Sequence, residues 1–253
     1  MKALGIDIGG SAVKGALVDL ETGRLVAERI RTATPVSLSP AKMAAAIADI
    51  ARQFKWSGPI GVGFPGVIYG KKILTAANLH PGFSGIDGAS LFAKAAKCPV
   101  TLINDAAAAA TAEMRFGAGA GFTGKTLLLT LGTGVGSAIG YHGVVVPCEF
   151  GHLPLRGRSA EKRVAASVRK ARNLTWKDWG RRLTEYLAIL ELMVWPELII
   201  IGGGVSAKHR KFFPFVKTRA RMVPAAFLNE AGIVGAALAA AGAAPGPRPA
   251  RRK

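Results

Sequence analysis

Cysteine is nearly absent: Cys98 and Cys148 are too few for a disulfide framework, and neither has the paired neighbours of a metal site. Small stapled scaffolds are excluded, and both thiols are expected to be reduced. Acidic residues are scarce too, 15 Asp and Glu against 34 Lys and Arg, leaving a formal net charge of +19. Every long apolar segment is interrupted by Gly, Pro or charge, which excludes a membrane-spanning helix. The first 20 residues include Asp7 and Asp19 and no apolar block of the signal-peptide kind, so a cytoplasmic location with no membrane partner is expected. No internal repeat is visible.

What is present is enough apolar sequence, 50% of 253 residues, for one large domain or two modest ones. The positive excess is uneven: 14 basic and 8 acidic residues up to Lys125, then 20 and 7 beyond it. It concentrates in residues 156–182, in 208–221, and in the tail of Arg248, Arg251, Arg252 and Lys253. Such a field attracts polyanions, nucleic acid and polyphosphate being the candidates, or it serves only to keep the chain soluble. The terminal PGPRPARRK is expected to be disordered.

Residues 4–18, LGIDIGGSAVKGALV, set a glycine turn between two apolar runs. Backbone amides approach a phosphate closely at such a turn, and Asp7 at the strand end is placed to hold Mg²⁺. Three further turns follow in order, LINDA at 102–106, TLGTGVG at 130–136 and IIGGGVS at 200–206, each at the end of an apolar run.

This order of motifs resembles the sugar kinases of the ROK family, within the hexokinase and actin superfamily, from about residue 4 to about 240. The resemblance implies an α/β, two-domain actin/hexokinase-like (ribonuclease H-like) fold with a cleft between the domains. Residues 1–117 would form the first domain, joined by a C-terminal helix at about 231–242. Residues 118–230 would form the second, with a glycine-rich hinge at 116–124 and a basic tail at 243–253. By the same resemblance Gly9, Gly10, Ser11 and Lys14, with Thr130, Gly132, Thr133 and Gly134, hold phosphates. Gly202, Gly203 and Gly204 face a nucleotide, and a homodimer is implied.

Asn104 and Asp105 serve the sugar in that family. A carboxylate at a strand end is suited to accept the proton of a C6 hydroxyl, and equally suited to cap the helix that follows. CEFGH at 148–152 resembles the ExGH motif and implies Glu149 and His152 on sugar hydroxyls; Gly66 in GFPG and Asn78 in ANL join them. No cysteine follows His152, so no zinc site is expected. The basic stretch in its place resembles the polyphosphate glucokinases. The implied activity is phosphorylation of glucose at C6 by polyphosphate, with ATP as a second donor and Mg²⁺ as cofactor. Lys14, Lys71, Lys72, Arg156, Arg158, Lys162 and Arg163 are the candidates to line a polyphosphate groove. The alternatives are an ATP-only hexose kinase and a sugar-responsive DNA-binding regulator. With only four residues before Gly5 the second has no room for a reading head, so no specific nucleic acid is expected.

Local patterns predict strands at 3–8, 14–19 and 24–30, then a helix capped by Ser39 with Pro40 in its first turn. A strand at 60–64, a helix at 90–96 and a strand at 100–103 follow, and a second set of strands starts at Thr126. Thr175 is expected to cap a long helix ending at 195–196, with Trp176 and Trp179 in a core or dimer face. A strand at 197–201 and a small-residue helix at 231–241 complete the pattern.

Overall fold

Strands β1 (Lys2–Ile8) and β2 (Ala12–Asp19) pair antiparallel, with Asp7 directly opposite Lys14. The computed structural model describes residues 1–9, 12–33, 38–76 and 79–242; Gly10, Ser11, Asn78 and the tail from 243 lie outside them. The described residues form two units, Met1–Ala112 with the segment that starts at Glu230, and Glu113–Asn229.

In the first unit, β3 (Ile30–Ala33) pairs with the start of β2, later than the expected strand at 24–30. The reason is local. The Asp19 carboxylate accepts from the amides of Glu21 and Thr22, Gly23 takes a φ of 69°, and only Leu25 bridges back to Val18. Ala27, Glu28 and Arg29 are exposed and offer no apolar face to bury. Helix α1 (Pro40–Gln53) starts as expected, the Ser39 hydroxyl accepting from the Lys42 amide, and buries Met43, Ile47 and Ile50. Next come β4 (Ile60–Phe64), a small hairpin of β5 (Ile68–Tyr69) and β6 (Lys72–Ile73), α2 (Gly88–Ala96), β7 (Val100–Asn104) and α3 (Asp105–Phe116). Helix α2 begins two residues before the expected Ser90 because Asp87 caps it, accepting from the Ser90 amide at 2.9 Å.

The sheet order is β3-β2-β1-β4-β7, and β1, β4 and β7 are parallel. Their carboxyl ends therefore share one edge, where Asp7 pairs with Gly63 and Phe64 with Asn104.

The second unit begins with a meander of β8 (Thr126–Leu131), β9 (Val135–Tyr141) and β10 (Val144–Cys148), then a short hairpin of β11 (Pro154–Leu155) and β12 (Arg158–Ser159). Helices α4 (Glu161–Val164), α5 (Ala166–Ala171) and α6 (Trp176–Val194) precede β13 (Leu198–Gly202) and β14 (Arg221–Pro224). The sheet order is β10-β9-β8-β13-β14. Thr175 caps α6 by accepting from the Asp178 amide at 3.1 Å, and Trp195 ends it at a φ of 53°. Trp179 is core: it has no exposed surface, donates to the Val164 carbonyl at 3.0 Å and meets the Phe212 ring at 4.8 Å. Glu113 is fully buried in this unit, its carboxylate accepting from the amides of Ala118, Ala226 and Phe227. Among the described residues no helix is long and apolar enough to cross a membrane.

Helix α7 (Ala231–Ala240) returns to the first unit and lies on β1 and β4 at backbone contact. A Cβ added to Gly5 would stand 1.9 Å from the Ile233 carbonyl oxygen, and one on Gly61 1.7 Å from that of Ala236. The helix contributes its own gap at Gly235, where a Cβ would meet the Ala108 carbonyl oxygen of α3 at 1.7 Å. Because backbone has nowhere to yield, Gly61→Ala is expected to cost about 3 kcal/mol or more in urea unfolding. Gly70→Ala, at a φ of 58° with nothing within 4 Å, should cost about 1 kcal/mol for backbone conformation alone. Equal costs at the two sites would contradict the close-contact account.

Candidate active site

The first unit supplies two carboxylates at its shared strand edge. Asp7 lies one residue before the end of β1 and Asp105 follows β7, so β4 stands between them and the two strands lie about 10 Å apart. The Lys14 ammonium approaches the Asp7 carboxylate at 3.7 Å, and both side chains are mostly shielded. Gly232 on α7 makes room beneath Asp7, since a Cβ there would come within 2.8 Å of its Oδ1. Gly9 turns the chain after Asp7, its amide donating to the Ala12 carbonyl at 2.9 Å.

Asn104, not Asp105, caps α3: its Oδ1 accepts from the Ala107 amide at 3.0 Å while Asp105 occupies the first helical position. Asn104 is 8% exposed, and its amide nitrogen donates to the Gly66 carbonyl at 3.1 Å. One side chain thus ties the GFPG turn to the helix start. The Asp105 carboxylate is half-buried, with Oδ1 accepting from the Ala106 amide at 2.8 Å, and Gly63 leaves its Cα uncrowded. Gly66 is equally constrained, because a Cβ would stand 2.0 Å from the Thr75 carbonyl oxygen.

The second unit gathers two glycine turns at one end of its sheet. Gly202 and Thr130 are register partners across β13 and β8, and Gly203, at a φ of 79°, packs against the Leu131 backbone. Gly132 and Thr133 are exposed at the hairpin tip between β8 and β9. Ser167 at the start of α5 holds the tip from behind, its amide donating to the Gly132 carbonyl at 3.1 Å and its hydroxyl to that of Thr133 at 2.6 Å.

Glu149 and His152 flank a single turn, their side chains 3.5 Å apart and about half exposed. Partial burial pushes the Glu149 carboxyl above its usual range, the His152 ring pulls it back, and Glu161 adds a smaller rise. Ser137 pins this turn by donating to the Cys148 carbonyl at 2.6 Å and accepting from the Phe150 amide at 3.0 Å. Among the described residues no three of His, Cys, Asp and Glu gather closely enough to hold a metal by themselves. No sequence motif marks Ser137, Ser167 or Gly232, because each acts only through a contact made in the folded chain.

The ROK family profile matches residues 3–163. A polyphosphate glucokinase of Mycobacterium tuberculosis is 44% identical over 237 residues, covering 93% of this chain and 89% of the relative. The crystal structure of an inorganic polyphosphate/ATP-glucomannokinase from Arthrobacter superposes with a TM-score of 0.91 at 40% identity, covering 95% of this chain and 98% of that one. A ROK glucokinase from Streptomyces griseus, solved with glucose and AMPPNP, shares the fold with a TM-score of 0.80 at 24% identity, covering 96% of this chain and 100% of that one.

Burial raises the Asp7 carboxyl above its ordinary 3.8, and Lys14 offsets this only in part. A carboxyl raised in the folded state holds its proton more tightly there than in the unfolded chain. The native state therefore loses relative stability as pH rises through that window and carries the full cost above it. Asp7→Asn removes the charge, so it is expected to melt at a higher temperature than the parent at about pH 7. The advantage should shrink as pH falls toward about 4. Melting curves across that range check the sign; a variant less stable at neutral pH would contradict it.

Proposed function

The chain belongs to the ROK family, and on that premise we propose that it is a polyphosphate-dependent glucokinase acting in the cytoplasm. It transfers the terminal phosphoryl group of inorganic polyphosphate, with ATP as a second donor, to the C6 hydroxyl of glucose. The observation that carries this reading is the near end-to-end match to a polyphosphate glucokinase and to a polyphosphate/ATP-glucomannokinase. The motif residues at the carboxyl ends of the strands support it.

Phosphoryl transfer asks mainly for position and charge stabilisation. In this reading Asp105 accepts the proton of the attacking hydroxyl as the new oxygen to phosphorus bond forms and the shortened donor leaves. Asn104 positions that carboxylate by capping α3. Glu149 and His152, with Gly66 and Asn78, take the remaining sugar hydroxyls. The hairpin at Thr130, Gly132, Thr133 and Gly134 presents amides and hydroxyls to the terminal phosphates, joined by Gly9, Gly10, Ser11 and Lys14. Gly202, Gly203 and Gly204 leave room for the nucleoside when ATP is the donor. Asp7 suits Mg²⁺, an ion that takes one or two carboxylates, waters and donor phosphates, and that would neutralise the phosphate oxygens. A homodimer belongs to the same reading; exposed Leu192, Met193 and Trp195 at the end of α6 offer apolar surface for it.

A coupled glucose 6-phosphate assay tests this with each donor in turn. Asp105→Asn is expected to lower turnover about a thousandfold with both donors while glucose affinity stays within a few fold. Full activity in that variant would remove Asp105 from the reaction. A parent enzyme active with ATP and inert with polyphosphate would reduce the assignment to an ATP-dependent hexose kinase.

A further inference from the structure

Away from the hairpin tip, the second unit contains a cavity of about 530 Å³ lined chiefly by Arg156, Arg163, Arg181, Arg182, Asp178 and Glu185. The arginines arrive from three places: the β11–β12 turn, where Arg156 takes a φ of 50°, helix α4 and helix α6. Both carboxylates are already engaged. Glu185 receives Arg156 on one oxygen and Arg163 on the other, the latter at 2.7 Å, and Asp178 accepts the Thr175 hydroxyl at 2.6 Å with Arg181 at 3.6 Å. They orient the arginine stems and leave most guanidinium N–H groups for something else, since each guanidinium carries five donors. Among the described residues Arg182 has neither a hydrogen bond nor an ion pair. Burial, then the nearby Arg163 and Arg172, push it below its ordinary value, and Asp178 and Glu185 offset this only in part.

We propose that this arginine cavity holds the distal phosphates of the polyphosphate chain while its terminal phosphate sits at the Gly132–Gly134 hairpin. The proposal rests on the glucokinase reading and deepens it. Reach supports it: Ser167, which grips the hairpin tip, lies four residues after Arg163, so their Cα atoms are at most about 14 Å apart. A linear phosphate chain spans such a gap, whereas the three phosphates of ATP end at the hairpin. The lining also favours base-free phosphate over nucleic acid, which stacks its bases on aromatic faces. None lines this cavity, and the adjacent Trp176 ring already carries the Arg169 guanidinium at 3.9 Å. Arginine forks match phosphate oxygens better than lysine would.

The test compares steady-state kinetics of the full chain with long-chain polyphosphate and with ATP, at saturating glucose. In the double variant Arg181→Gln/Arg182→Gln, KM for long-chain polyphosphate is expected to rise about tenfold, with kcat and both ATP constants within about twofold. Arg182→Glu alone should raise it further through repulsion and serves if the double variant is insoluble. An unchanged polyphosphate KM, or an equal rise for both donors, overturns the proposal and leaves the glucokinase reading standing. Arginine-dependent binding of an RNA oligonucleotide to the parent, with a polyphosphate KM that the variant leaves unchanged, replaces the proposal with a nucleic-acid site. A parent without polyphosphate-supported turnover fails at the level of the activity itself, a distinguishable result.

Discussion

Backbone contact between α7 and the first sheet is the constraint on which the strand edge carrying Asp7 and Asn104 depends. The helix is apolar on nearly all sides and buries Ile233, Val234, Ala236, Ala237 and Leu238, so burial holds it down. What sets its height is glycine: Gly5 and Gly61 remove the Cβ atoms that would meet its carbonyls, and Gly235 does the same toward α3. Interiors packed at this density transmit displacement rather than absorb it. The strand ends carrying Asp7, Gly63 and Asn104 are therefore placed by a helix more than a hundred residues away in the chain. Gly232 makes the coupling direct, since the same helix approaches the Asp7 carboxylate.

The second unit reaches a comparable rigidity by polar means. Its hairpin tip and its triple glycine meet because β8 and β13 are parallel neighbours, and Gly203 settles onto the Leu131 backbone. Ser167 and Ser137 then anchor two exposed turns from behind, each hydroxyl donating to a backbone carbonyl at 2.6 Å. Such support fixes the backbone of an exposed loop, and amides already fixed need no reorganisation when charge is brought near them. Glu113 works on the same principle in the interior, where three amides share its carboxylate.

How much of this was legible in the sequence follows from the range of each interaction. Ser39 and Thr175 bond within three residues of themselves, and both helix starts could be read directly. The ordered turns were legible because each sits at the end of an apolar strand, and strand ends are where the amides of an α/β sheet become available. The strand expected at 24–30 was not, because a tight turn at Asp19 and a polar run beyond it delay pairing until Ile30. Asp105 and Asn104 are both good caps, and sequence could not tell which one caps. The structure assigns the task to Asn104, leaving Asp105 at the first helical position. Glu113, Ser137 and Ser167 bond to partners distant in the chain, so no local pattern announces them.

The scarcity of acid, read at first only as composition, takes on a structural sense once the carboxylates are located. Asp7 faces Lys14, Glu185 joins two arginines, Glu191 accepts from the Ala220 amide and Glu197 from that of Lys125. The chain beyond Lys125 still carries 20 basic residues against 7 acidic ones. Net charge alone does not select a ligand, because exposed charges are screened beyond about 8 Å at physiological salt. Selection needs guanidinium groups held close together with their carboxylates already engaged, and that is the state of the cavity between α4 and α6. A phosphate chain offers charge at every unit and no base, so the surface that suits it is dense in fixed cations and poor in exposed aromatic rings.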